Sequence, residues 1–383
     1  MLNVYTPDNE KYNNIDKSKF VLVQAEKEIH DAKFETKAVG FFKDAATRFI
    51  RSKISVVALV GILFILFMAI FGPGMNEYGY NDQNLDYINL PAKIPALAKY
   101  GIFDGGRVLQ NRRVDALDDT SRYPEGCILR VFNEREVKGV KMCDIEVDYY
   151  KYSDIPEDVI FWFGSDYLGR DLWTRMWRGA RVSLFIAFIS VFVNVFIGII
   201  YGAVAGYYGG KTDMIMMRIT EIINSMPQLV VVTLFILFFG TGILSIILAL
   251  VVQNWIGTAR MIRAQFYRFK GSEYVLASRT LGVKDRVLIF RHILPNSIGP
   301  IITRAMMAIP GAIFTESFLA YIGLGIRAPE SSIGVLLSQG QKVMQQFPNQ
   351  VLFPAIMISI LMVSFNMLSN GLRDAFDPTQ RGV

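Results

Sequence analysis

The sequence predicts an all-α polytopic membrane protein with six transmembrane helices and a small β-rich extracytoplasmic insertion, and three observations carry that prediction. The 383 residues are 52% hydrophobic and only 19% charged, with a mean hydropathy of +0.32, more apolar than a soluble chain of this length sustains. Several windows long enough to cross a bilayer hold no charge at all. Charge is also segregated: residues 75–160 hold eleven Lys and Arg against sixteen Asp and Glu, inside a chain of net charge +6. In a membrane protein this is the asymmetry that positive-inside sorting produces, and it makes a nucleic-acid partner unnecessary.

Residues 1–40 are polar and of mixed charge and read as a cytoplasmic tail. In 41–53, Phe41, Phe42, Ala45, Ala46, Phe49 and Ile50 fall at helical spacing opposite Lys43, Asp44, Thr47 and Arg48. A helix lying in the inner interface fits this pattern; an extended first span is the other reading. The first span occupies 54–74, where Ile54–Phe71 is apolar apart from Ser55 and Gly61 and long enough for roughly 30 Å of hydrocarbon. No small-residue cleavage site follows it, unlike a secretory signal.

The acidic insertion, 75–160, carries turn signals at Asp104-Gly105-Gly106 and Pro124-Glu125-Gly126 and alternating runs at Cys127–Phe132 and Val140–Val147, the pattern of short strands. Cys127 and Cys143 could pair across such strands outside the reducing cytosol or stay two thiols. An outer interfacial segment, 161–181, follows. There Leu172, Trp173, Met176 and Trp177 form an apolar face against Arg170, Asp171, Arg175 and Arg178, as in a tryptophan-anchored helix with its charges in water. A docking surface for an external protein could lie beside it.

The remaining spans lie within 182–372. Val182–Gly210, Ile222–Ala259 and Val343–Leu372 are free of charge, and Ser297–Leu324 is interrupted only by Arg304 and Glu316. At about 57 Å of helix, Ile222–Ala259 holds two spans, with Gly240-Thr241-Gly242 as the turn. Lys43, Arg48, Arg51 and Lys53 precede the first span and place the N-terminus in the cytoplasm. Six crossings bring the C-terminal segment, 373–383, back to the same side. They also place the basic stretch Arg260–Arg291 on the cytoplasmic face.

Enzyme chemistry finds little footing. Two cysteines and two histidines, His30 and His292, exclude a four-thiolate metal site or a local histidine ligand motif. No G-x-S-x-G or H-E-x-x-H is present. Ala205–Thr212 approaches the phosphate-binding pattern G-x-x-x-x-G-K-T, but Ala205 replaces the first glycine and a membrane span, not a strand, precedes it.

The most informative stretch is the loop 260–296 between spans four and five. Glu273–Leu281 can form a helix, Gly282 offers a left-handed stop, Lys284–Phe290 can restart a short helix, and Pro295 ends the excursion. Such an element presents side chains to a cytoplasmic partner, although a basic loop on the inner leaflet has the same charge. The stretch resembles the cytoplasmic coupling loop of bacterial ABC-importer permeases, whose pattern is Glu-Ala-Ala, three residues, Gly, nine residues, Ile, any residue, Leu-Pro. Ala277, Gly282, Leu294 and Pro295 match it, while Leu276, Ser278 and His292 depart from it. Glu273 lies one turn ahead of the missing glutamate. Phe163–Asp171, Gly179–Leu184, Ala205–Gly210, Phe290–Asn296 and Gly371–Pro378 further resemble the peptide/nickel branch, specifically the C-type permease subunit of oligopeptide and dipeptide transporters. The resemblance covers about residues 41–75 and 160–383, and the order of the motifs makes it specific.

The resemblance implies a type I ABC-importer permease fold and ATP-driven import of oligopeptides or dipeptides through the cell membrane. It implies that Glu273, Ala277, Ser278, Gly282, Leu294 and Pro295 face the ATPases. It further implies a second homologous permease subunit, two ATP-binding subunits that hold ATP and Mg, and an extracytoplasmic peptide-binding protein, with no cofactor in this chain. Nickel or another small solute is the alternative cargo, and a membrane-anchored sensor built on 75–160 is the alternative of another class. Within the membrane, Glu316, Asn224 and Gln253 are candidates for the translocation pathway. Each has a structural alternative as a helix–helix hydrogen-bonding group. Pro227 is a candidate kink, Asn254 a further polar contact, and Arg304 a residue that snorkels to the inner leaflet.

Overall fold

The computed structural model describes residues 40–376; the expected cytoplasmic tail, residues 1–40, and the end of the expected C-terminal segment lie outside them, apart from Gly40. The chain divides after Asp44 into two units, and the following account concerns the second. Helix α1 (Phe41–Arg51) leads to α2 (Lys53–Phe71), and the two are separated at Ser52, an extended residue whose hydroxyl caps α2 through Ser55 N. On α1, Ala45 is buried whereas Ile50 is exposed, so the apolar face read from the sequence is not uniformly covered. Small residues bring α2 onto the last helix: Ser55 and Gly61 face Gly371 and Ser364, the close approach that small side chains permit in a membrane.

The insertion opens with loops and the short helix α3 (Pro95–Ala98), then forms β1 (Gly106–Arg113), β2 (Ile128–Val137) and β3 (Val140–Asp148) and closes with α4 (Tyr149–Tyr152). The sheet is antiparallel in the order β1-β3-β2. Lys138 and Gly139, both with positive φ, make the two-residue turn between β2 and β3, as a hairpin matched to strand twist requires. Leu109, Tyr123, Cys127, Cys143, Ile145 and Val147 form its core.

The two cysteines do not pair; both are free and buried. Register is the reason. Cys127 O accepts from Asp148 N at 2.8 Å, which places Cys127 near the end of β3, and Cys143 sits five residues back, roughly 16 Å along a strand at ~3.3 Å per residue. A disulfide needs Cα atoms within about 7 Å. Burial also pushes both thiols above their ordinary pKa. The expected result is that alkylation in denaturant without reductant labels two thiols per chain, and that the folded protein labels neither; a labelled pair appearing only after reduction would contradict the register.

Five helices are long and apolar enough to span a membrane among the described residues. They are Lys53–Gly74, Leu172–Tyr208, Ile243–Phe269, Asp285–Tyr321 and Asn349–Phe376. Helix α5 (Leu172–Tyr208) has 37 residues, about 56 Å at 1.5 Å per residue. Residues 172–181 of the expected outer interfacial segment are therefore the first part of one continuous helix, and 161–171 form the loop that leads into it. The sixth span exists only if α6 (Gly210–Asn224) and α7 (Gln228–Phe239), bent by 77° at their junction, count together. At 12 residues, α7 reaches only about 18 Å. The break before α8 (Ile243–Phe269) falls at Gly240–Gly242. Helices α11 (Ile298–Tyr321), α12 (Ile333–Lys342) and α13 (Asn349–Phe376) complete the bundle.

The tightest seam joins α5 to α8. Gly198, Gly202 and Gly206 recur every four residues on one face of α5, and a Cβ at Gly202 would lie 2.3 Å from Ala259 O. At Gly198 and Gly206 it would lie 2.6 Å from Thr258 Cβ and Phe266 Cβ respectively. Only glycine allows the two backbones this close.

Three of the four charges on the predicted polar face of 161–181 do not face water, contrary to the amphipathic reading. Arg170, Asp171 and Arg175 are each 1% exposed. Asp166 explains how they tolerate this: its carboxylate accepts from Leu168 N (2.8 Å), Arg170 N (3.0 Å) and Arg170 Nε (2.8 Å), and also from Arg175 Nη1. Asp171 caps α5 by accepting from Thr174 N at 2.8 Å and takes a 2.7 Å bond from Asn76 of the insertion. Residues 87–90 of the insertion cover the cluster, with Leu90 N donating to Ser165 Oγ at 2.8 Å and Asn89 N to Asp166 O at 3.0 Å.

Candidate functional site

At the end of α8, Lys270 Nζ donates to Gly206 O at 3.0 Å, closing the C-terminal turn of α5. Helix α9 (Glu273–Thr280) follows. Its one buried side chain, Val275, joins Leu288, Ile289 and Ile293 in a cluster with Ala203, Tyr207, Ile262 and Phe266. Gly282, at φ +77°, stops the helix. Gly282 N donates to Arg279 O at 3.0 Å and Val283 N to Ser278 O at 3.2 Å, the paired bonds of a Schellman cap, which need a left-handed residue at this position.

The return path is equally well tied. Asp285 opens α10 (Asp285–Val287) and accepts from Tyr207 Oη at 2.5 Å, while the Arg279 guanidinium lies 5.4 Å from the Tyr207 ring centroid. A π-helical turn, Leu288–Ile293, continues it. Asn296 Nδ2 donates to His292 O at 2.7 Å and to Tyr274 Oη at 3.2 Å, stitching the end of the excursion to α9.

Apolar side chains flanking this buried face are left exposed among the described residues. Leu281 is 84% exposed, and Tyr274, Leu276, Val287 and Phe290 are also exposed. Of the residues expected to face the ATPases, Glu273, Ala277, Gly282 and Pro295 are exposed, and Ser278 and Leu294 are half-buried. The exposed Arg279, Lys284, Arg286 and Arg291 border this apolar ridge. Apolar side chains thus project from a small element fixed by its own buried face, with cations at the margin.

The three expected pathway residues separate. Asn224 is exposed at the end of α6. Gln253, on α8, donates through Nε2 to Ile223 O at 3.1 Å and to Met226 O at 2.7 Å. Its role follows from Pro227: a residue there would normally donate its N–H to the carbonyl of Ile223, and proline has none. Gln253 supplies the donor across the helix interface and so holds the bend between α6 and α7. Glu316, on α11, is fully buried. Ser183 Oγ donates to its Oε2 at 3.0 Å and accepts Ile333 N at 3.2 Å, which links α11, α5 and the start of α12.

A cleft of about 320 Å³ lies between α5, α8 and α11, and its lining includes Asn194, Asn254, Thr258, Arg304 and Thr315 but neither Glu316 nor Gln253. Sequence reasoning named Asn254 and Arg304 without joining them, and it missed Asn194. It also missed the bidentate tie of Arg263 to Asp213, with bonds of 2.5 and 2.6 Å and a third from Tyr267 Oη at 2.9 Å, which fastens α6 to α8. The spacing Gly198-x-x-x-Gly202-x-x-x-Gly206 was a readable signal for the α5–α8 seam; the charge pair had none.

Comparison with known proteins agrees with this geometry. Residues 194–382 match the family described as binding-protein-dependent transport system inner membrane component, and residues 40–92 match the N-terminal TM domain of oligopeptide transport permease C. The oligopeptide transport system permease protein OppC of Bacillus subtilis is 35% identical over 91% of this chain and 93% of its own length. The dipeptide transport system permease protein DppC of Lactococcus lactis is 35% identical over 94% and 96%. DppC of B. subtilis is 43% identical over 60% of this chain and 72% of its own. With an apolar, cation-bordered ridge on the loop between spanning helices, a multi-pass bundle and relatives matched over nearly their whole length, the chain belongs to the OppC/DppC permeases of the binding-protein-dependent transport systems.

Proposed function

We propose that this chain is a permease subunit of an ATP-driven importer of oligopeptides or dipeptides and that Glu273–Pro295 is its contact with the ATPases. The observation that carries the reading is the ridge formed by Tyr274, Leu276, Leu281, Val287 and Phe290, exposed outward while Val275, Leu288, Ile289 and Ile293 lock its inner side onto α5 and α8. Motion applied to such a ridge passes to the two helices that meet at the α5–α8 seam. ATP and Mg belong to two separate ATP-binding subunits. A second, homologous permease subunit completes the pathway, and an extracytoplasmic binding protein delivers peptide. Both termini and the ridge lie in the cytoplasm, and the insertion lies outside, as the charge distribution directs.

ATP binding closes the ATPases, the ridge moves with them, and the spans turn from inward-facing to outward-facing to receive the solute. Gln253 and Glu316 hold helices in register during that motion; the cleft containing Arg304 is the polar surface left for cargo. The expected result is that cells lacking this chain fail to take up labelled short peptides and regain uptake when it is restored. Uptake that is unchanged by its loss would remove peptide as the cargo.

A further inference from the structure

Arg304 is a charged residue within a membrane-spanning helix, and none of the ion pairs among the described residues includes it. Its guanidinium rests against Gly257 of α8, where an added Cβ would stand 2.6 Å from Nη2. Across the same cleft, Asn194 is only 6% exposed and its Oδ1 has no donor. A cation outside every ion pair of the described residues and a residue with an orphaned, buried acceptor thus line one cleft, and such an acceptor is costly until a partner satisfies it.

We propose that this cleft receives the C-terminal end of a peptide in transit, with Arg304 pairing with its carboxylate and Asn194 Oδ1 accepting its last amide N–H. A guanidinium matches a carboxylate through two parallel hydrogen bonds. The two groups together read a carboxylate with a neighbouring N–H, which a peptide terminus has and a bare metal ion lacks. Thr258, 4% exposed, adds a hydroxyl beside Gly257 on the same wall. The absence of a side chain at Gly257 leaves room for the guanidinium beside α8.

The assignment rests on the peptide-import reading, and the experiment separates the two. Maximal uptake of a labelled tripeptide with a free carboxylate, and of the same tripeptide as its C-terminal amide, is measured in cells carrying the whole transporter, at concentrations that saturate the binding protein. Wild type is expected to move the free acid faster. Arg304→Gln is expected to slow the free acid by about tenfold, the loss of one charge-assisted pair, and to leave the amide unchanged; Arg304→Lys keeps part of the preference. Membrane abundance of each variant is measured alongside, so that a loss of folding is told apart from a loss of transport. Equal rates for the two peptides in wild type, an unaltered preference in Arg304→Gln, or an equal loss for both peptides, as a lipid phosphate or the second permease subunit would cause, overturns the assignment while leaving peptide import standing. Failure of wild type to import either peptide takes down both.

Discussion

Asp166→Ala is expected to destabilise the subunit by about 3–5 kcal/mol, the cost of removing one partner from a buried ionic cluster. Two guanidinium groups, Arg170 and Arg175, share this carboxylate, and all three side chains are almost wholly enclosed. Their other partners are weaker: Arg175 Nη1 donates to Gln339 Oε1 at 3.4 Å, and the Arg170 guanidinium lies 5.5 Å from the Tyr167 ring centroid. Without Asp166 the two cations face each other in the interior, and the backbone bonds from Leu168 and Arg170 are lost as well. Thermal unfolding in detergent is the measurement, with membrane abundance alongside. Replacing all three together, as Asp166→Leu with Arg170→Met and Arg175→Met, is expected to recover much of the loss, because an apolar cluster of similar volume avoids the desolvation that the charges carry. Equal damage in the single and triple variants would show that the charges themselves are not what organises the loop.

The second large effect is at the α5–α8 seam. Gly202→Leu is expected to abolish stable folding, because its first added carbon already falls 2.3 Å from Ala259 O and 2.9 Å from Ile262 Cβ. Backbone is on the receiving side, so no rotamer change relieves the contact. Even Gly202→Ala is expected to cost about 1–3 kcal/mol, as overpacking of a tight interior does. Gly271→Ala is the control, since a Cβ there meets nothing within 4 Å. Comparable melting of Gly202→Ala and wild type would mean that the two helices are not held at this distance.

Much of this architecture was readable beforehand, for reasons that particular residues make plain. Charge-free runs revealed most of the spans because hydrocarbon tolerates little else, and Gly282 marked the stop of α9 because few residues serve there; Pro295 marked no exit, because Asp285–Tyr321 runs through it as one helix. What failed to show was tertiary. Arg170, Asp171 and Arg175 follow a helical period that reads as a wet face, yet residues 87–90, some 80 positions earlier in the chain, cover them. Pro227 announced a break, but its compensating donor is Gln253, on another helix. Cys127 and Cys143 lie in alternating strands, and only the register shows them too far apart to bond. For Glu316 the pattern signalled a costly buried acid; its bond to Ser183 and its distance from the cleft lining required coordinates.

In the proposed function the ridge passes the motion that ATP binding drives to the membrane helices. Leu281→Asp tests it most directly, because Leu281 is 84% exposed and joins none of the hydrophobic clusters among the described residues. Peptide uptake, membrane abundance and co-purification of the ATP-binding subunits are measured together, with Gly282→Glu as a second variant that strains the cap at φ +77°. The expected result is normal abundance, with uptake reduced at least tenfold and weakened retention of the ATPases, as a charge placed in an apolar contact produces. Full uptake by Leu281→Asp, with the ATPases retained, would contradict the account.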